Sequence, residues 1–165
     1  MSETELHPSC VRVNEIVAAA GFAGRVRILP EPAPTAKVAA EQVGVEVGAI
    51  ANSLIFRTAS DRPLLVMTSG AHRVDTDVVG AVIGEAIGRA DAEFVRRHTG
   101  QPIGGVAPVG HPAPIRTLVD EDLAGFTEIW AAGGIPHAVF PLTFDQLVAL
   151  TGGEVAQVAA PSAGA

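Results

Sequence analysis

The chain predicts a mixed α/β fold, a mixed sheet or small barrel with helices packed around it. Three observations lead there. Apolar runs of strand length alternate with short capped helical segments, but irregularly, so the strand–helix repeat of a doubly wound parallel sheet is missing. Hydrophobic residues make up 48% of the chain, much of it Ala and Val with only six Phe and one Trp, so small side chains must build the core. The length of 165 residues suits one domain with a sizeable core. That domain is expected over 1–165, with an N-terminal helix over about 9–21 and a core over about 26–158.

From Ser9 to Ala20, the residues Val13, Ile16, Val17 and Ala20 recur at helical spacing, and Gly21 stops the helix. Val26 to Leu29 reads as a short strand. The stiff loop Pro30-Glu31-Pro32-Ala33-Pro34 follows, and Thr35 caps a helix through Val43 that Gly44 ends. Ile50 to Arg57 and Leu64 to Ser69 read as a hairpin turning around Ala59 to Pro63. Asp75 or Thr76 caps a helix ending near Gly84, Ala86 to Ala90 is a short strand, and Asp91 caps a helix ending at Gly100. Ile115 to Val119 is a strand and Asp120 opens a helical turn; Thr127 to Ala131 and His137 to Phe140 are strands around Gly133-Gly134. Thr143 and Gln146 form a capping box for a helix through Leu150. A last short strand follows Gly152, and the tail Pro161 to Ala165 is expected to fray.

Composition narrows the function classes. The net charge is −7 and Arg96-Arg97 is the only adjacent basic pair, which argues against general nucleic-acid binding and against DNA. A local contact with an RNA end needs only a few groups and stays open. No run approaches the roughly 18 apolar residues that span a bilayer, and Met1 to Pro8 lacks a signal pattern, so a cytoplasmic location without membrane contact is expected. The single cysteine, Cys10, excludes an internal disulfide and reads as an inert helix residue. No metal-ligand spacing, Walker lysine or Gly-x-Gly-x-x-Gly after a strand is present, so no metal or cofactor is expected. There is also no nucleophile elbow.

Gly104-Gly105-Val106-Ala107-Pro108-Val109-Gly110-His111-Pro112 holds three glycines and two prolines in nine residues. Such a segment forms neither a regular helix nor a central strand. It reads as a stiff binding wall of main-chain groups, longer than a simple helix–strand turn requires.

Five segments together resemble the YbaK/ProX family of aminoacyl-tRNA editing domains. They are Thr35 to Ala40, Ile50 to Phe56, Leu65 to Asp75, the loop Gly104 to His111, and Val119-Asp120-Glu121 with Gly133-Gly134. The resemblance covers about residues 28 to 158. It implies a barrel-like mixed sheet with peripheral helices and hydrolysis of the ester between a wrong amino acid and its tRNA. Members are free-standing or inserted in prolyl-tRNA synthetase, and this chain looks free-standing. The implied partners are the 3′ end of an aminoacyl-tRNA and prolyl-tRNA synthetase or another synthetase.

The resemblance also implies a site. The catalytic set expected is Asn52, Gly104, Gly105, Pro108 and His111, with main-chain N–H groups of the loop holding the oxyanion. The substrate-binding set is Thr35, Ser53, Thr68, Ser69, Gly70, His72, Arg73, Val106, Ala107 and Gly110. Family members often carry lysine where this chain has Asn52, which donates hydrogen bonds but brings no charge. His72, Arg73 and His111 are the groups that could compensate, while His98 and His137 have weaker claims. Thr35, Ser53, Thr68 and Ser69 also read as caps or turn residues, and Asp75 and Asp120 as helix caps. Direct attack by water, assisted by the substrate's own ribose hydroxyl or side chain, fits a site with few ionisable groups. Two other functions stay open at this point: a module that binds aminoacyl-tRNA ends or a synthetase without turnover, and a hydrolase of another small acyl ester.

Overall fold

The computed structural model describes residues 6–33 and 35–159. Pro34 and the tail Pro161 to Ala165, both read above from sequence, lie outside the described residues.

Among the described residues, five helices and eight strands follow in chain order: α1 Pro8–Ala19, β1 Arg27–Ile28, α2 Ala36–Val43, β2 Ile50–Thr58, β3 Pro63–Ser69, α3 Thr76–Ile83, β4 Ile87–Arg89, α4 Ala92–Thr99, β5 Arg116–Asp120, β6 Ile129–Ala132, β7 Ala138–Leu142, α5 Phe144–Thr151 and β8 Glu154–Ala156. Short 3₁₀ turns lie at Val47–Ala49 and Glu121–Gly125. The helix ends follow their caps. Thr35 Oγ1 accepts from Val38 N, Asp75 Oδ1 from Asp77 N and Val78 N, and Asp91 Oδ1 from Phe94 N. The Thr143–Gln146 box closes in both directions, and Gly44, Gly84, Gly100 and Gly152 end their helices in the left-handed region.

All eight strands form one mixed sheet in the order β1-β7-β6-β2-β3-β5-β8, with β4 also paired to β2. Among the strand pairs, β2–β6, β3–β5 and β5–β8 are parallel and the others antiparallel. The expected mixed sheet with helices around it is therefore the fold. Side-chain alternation divides the core between the two faces. On one face Ala51, Ile55, Leu65, Met67 and Val119 pack with α1, α4, α5 and the loop residues Val106 and Ala107. On the other, Ile50 and Trp130 pack against α2, while Leu64, Val66 and Leu118 pack against α3. A sheet covered on both faces explains the unbroken apolar run Leu64 to Met67.

Candidate active site

The sheet has a gap beside β2. The Ile50 carbonyl accepts from Gly70 N at 2.8 Å, and Thr58 N donates to the Arg62 carbonyl at 2.9 Å. Even-numbered residues of β2 therefore turn their main-chain groups towards β3, and odd-numbered residues turn theirs to the opposite edge. On that edge β6 meets β2 only at Ile50 and Ala51, and β4 meets it only at Phe56 to Thr58. Between them, the N–H groups of Ser53 and Ile55 and the Ser53 carbonyl have no partner among the described residues.

A cleft of about 370 Å³ opens at this gap. One wall is β2 from Ile50 to Ile55, a second is Trp130 to Ala132 with Ala138 and Val139, and a third is Ile103, Gly104 and Val106 of the glycine loop. Thr35 and Ala39 of the α2 region close one side. The polar side chains of the lining are Thr35, Asn52, Ser53 and Trp130, and no ionisable side chain lines the cleft among the described residues. The Asn52 carboxamide has no hydrogen-bond partner among the described residues. Trp130 Nε1 is likewise a buried donor without one. Ser53 Oγ lies 3.2 Å from Met67 Sδ, and the Thr35 hydroxyl serves the α2 cap.

The glycine loop presents main-chain groups, and it is held from behind. Gly105 N donates to the Pro102 carbonyl, while Gly104 N and Val106 N have no acceptor among the described residues. Gln101, 3% exposed, accepts from Ala107 N at 2.6 Å and donates from Nε2 to the Val109 carbonyl at 3.2 Å. His111 Nε2 donates to the Ala107 carbonyl at 2.8 Å. Burial pushes the His111 imidazole below its ordinary value, and the hydrogen bond to Ala107 opposes part of that shift. Gly104 takes φ 89°, which favours glycine.

The sequence-expected residues therefore divide into four groups. Thr35, Asn52, Ser53, Gly104 and Val106 meet at the cleft. Gly105 and Ala107 stand behind its wall: a Cβ on Gly105 would lie 2.5 Å from the Ile135 carbonyl carbon, and Ala107 is fully buried. Pro108, Gly110 and His111 line a separate groove shared with Arg12, Ile16 and Leu150.

Thr68, Ser69 and His72 belong to the fourth group, at the end of β3. The Asp120 carboxylate, 1% exposed, accepts there from Ser69 N at 2.9 Å, from Thr68 Oγ1 at 3.3 Å and from His72 Nε2, while its other oxygen caps Asp122 N. His72 Nδ1 lies 3.5 Å from Asp122 Oδ2. His72, Asp120 and Asp122 form a group with metal-ligating atoms, but a cation would have to displace donors already bound to Asp120. Ser69 Oγ donates to the Gly48 carbonyl, and a Cβ on Gly70 would lie 2.6 Å from the Val47 carbonyl oxygen. His72 is thus turned to Asp120, and neither His72 nor Arg73 is in the cleft lining.

Sequence reasoning missed Gln101 and the second role of Asp120. Neither has a local signal, since the Asp120 contacts span 48 to 52 positions. No helix among the described residues is long and apolar enough to cross a membrane.

Comparison with known proteins agrees with the fold. The aminoacyl-tRNA editing domain family matches residues 30–150. The uncharacterized protein YwhH of Bacillus subtilis (strain 168) is 30% identical over 113 residues, 68% of this chain and 72% of YwhH. A crystal structure described as a candidate trans-editing enzyme for prolyl-tRNA synthetase is 42% identical with a TM-score of 0.89, covering 95% of this chain and 100% of that one. The hypothetical protein APE2540 is 31% identical with a TM-score of 0.82, over 89% of this chain and 98% of its own. With most of its length matched in sequence and in fold, this chain belongs to the aminoacyl-tRNA editing domain family.

Proposed function

We propose that the protein is a trans-editing deacylase that hydrolyses the ester between a small amino acid and the 3′ end of a tRNA. The observation that supports it most is the uncharged cleft, where main-chain groups of a split strand edge and of a glycine loop face one ligand volume. In this reading water attacks the ester carbonyl. The N–H groups of Gly104 and Val106 hold the developing oxyanion, and the Asn52 carboxamide donates to the ester or the ribose. The Ser53 carbonyl accepts from the substrate's ammonium group. With no base in the lining, the substrate's ribose hydroxyl relays the proton from water to the leaving oxygen. The walls of Ala39, Ala51, Ala131 and Ala138 suit a small side chain. A pocket separates two substrates differing by one methylene by only about 1–3 kcal/mol, so a second hydrolytic check on small amino acids has a physical motive.

The test is deacylation of a panel of mischarged tRNAs, beginning with tRNA(Pro), the choice suggested by the similar structure linked to prolyl-tRNA synthetase. No release above background from any of them sinks the reading. Asn52→Ala should lower kcat about 100-fold if its amide serves the transition state.

A second reading is favoured by the absence of any charged side chain from the lining among the described residues: a module that binds aminoacyl ends, or a synthetase, without turnover. It predicts saturable binding of an aminoacyl-adenosine amide with no hydrolysis of the ester, and activity gained in Asn52→Lys.

A further inference from the structure

Three guanidinium groups each lie over an aromatic ring that either lines the uncharged cleft or adjoins a lining residue in sequence. Arg27 Cζ lies 5.0 Å from the Trp130 ring centre, and Trp130 is a cleft wall. Arg57 and Arg97 approach the Phe94 ring at 5.1 and 5.5 Å. Phe94 precedes Val95, which lines the cleft, and Arg57 lies two residues beyond Ile55 on the same face of β2. Arg27 and Arg97 have no carboxylate within ion-pair distance among the described residues, whereas Arg57 meets the exposed Asp61. Stacking on a ring orients a guanidinium plane and leaves its N–H edge free for bidentate contact with a phosphate. Two exposed apolar side chains of the lining, Leu54 and Ile103, offer a surface for a base face.

A chain of net charge −7 repels a polyanion unless positive charge is placed locally. We propose that Arg27, Arg57 and Arg97 bind backbone phosphates of the single-stranded RNA end that leads away from the cleft. The inference rests on the deacylase reading for where that end is anchored.

The experiment measures binding of an uncharged acceptor-stem hairpin ending in single-stranded CCA, by fluorescence anisotropy between 50 and 200 mM salt. Arg27→Gln, Arg57→Gln and Arg97→Gln should each weaken binding and reduce the slope of log K against log salt by about 0.7, and by about two in the triple variant. Arg97→Lys should keep the slope. Asp61→Asn, which tolerates the left-handed φ of 65° at that position, should tighten binding by releasing Arg57. Slopes unchanged in all three variants overturn the proposal. So do an absence of measurable binding by the unaltered protein and an equal loss on a blunt hairpin lacking the CCA end. Because the RNA carries no amino acid, a protein that binds in this pattern yet deacylates nothing would refute the deacylase reading alone.

Discussion

Replacing Gly105 by alanine tests whether the glycine loop is catalytic machinery or only a connection. The added Cβ would lie 2.5 Å from the Ile135 carbonyl carbon, 2.6 Å from Pro136 N and 2.7 Å from Ile135 Cα. All three are backbone atoms, so no rotamer change relieves the clash. Reaching an ordinary contact of 3.4 Å requires the loop to retreat by about 0.9 Å. Ala107 is held by Gln101 and His111, so the displacement falls on Gly104 to Val106, where the two unpartnered amides lie. Misplacing transition-state contacts by about 1 Å costs on the order of 100-fold in rate, or about 2.7 kcal/mol. Overpacking should also lower stability by about 1–3 kcal/mol. The assay is kcat/KM for deacylation well below the melting temperature, with thermal unfolding followed by circular dichroism. A folded Gly105→Ala protein retaining kcat/KM within threefold refutes the assignment of the oxyanion to this loop. Gly104→Ala is the contrasting variant: its Cβ meets nothing within 4 Å, and its penalty comes only from the φ of 89°.

Three more predictions concern the supports of the site. Gln101→Leu strands the Ala107 N–H and the Val109 carbonyl in the interior; each costs about 1–3 kcal/mol, and urea unfolding together with a tenfold or greater fall in kcat/KM should register both effects. His111 has a depressed pKa in the fold, so the unfolded chain binds more protons below 6.5. The stability tied to His111 is thus full above that value and is lost as pH falls through the folded one. His111→Gln should flatten urea midpoints measured from pH 7.5 to 5, and parallel curves for the two proteins would contradict this. Asp120→Ala removes the acceptor of Ser69 N, Thr68 Oγ1 and His72, and should cost about 3 kcal/mol in urea unfolding. A loss below 1 kcal/mol would show that these donors find water instead.

What could be read from sequence was what neighbouring residues decide. The caps Thr35, Asp75 and Asp91, the Thr143–Gln146 box and the glycine stops are interactions over three or four positions, and they occur as read. The strand from Ile50 was legible from its apolar run, but its split edge was not. Parallel pairing of Ile50 with Trp130 joins segments 80 positions apart, and no local pattern announces where β6 leaves and β4 arrives. The same limit explains the site. Asn52 and Ser53 were expected from a recognisable segment and line the cleft, as do Gly104 and Val106. His72 fell in an equally recognisable segment, yet a carboxylate 48 positions away turns it to another purpose. His111 closes the same loop as Gly104, but its ring faces back to Ala107.

The interruption of the sheet beside β2 has a consequence for solubility. Unpaired main-chain groups on a strand edge invite another chain to add a strand, the first step of edge-to-edge aggregation. Here the open stretch runs only from Asn52 to Ile55, shorter than an ordinary strand, and β6 and β4 stand at its two ends. A foreign strand would collide with one of them before making enough hydrogen bonds to stay. The molecule keeps donors and an acceptor available to a small ligand while denying them to its own kind.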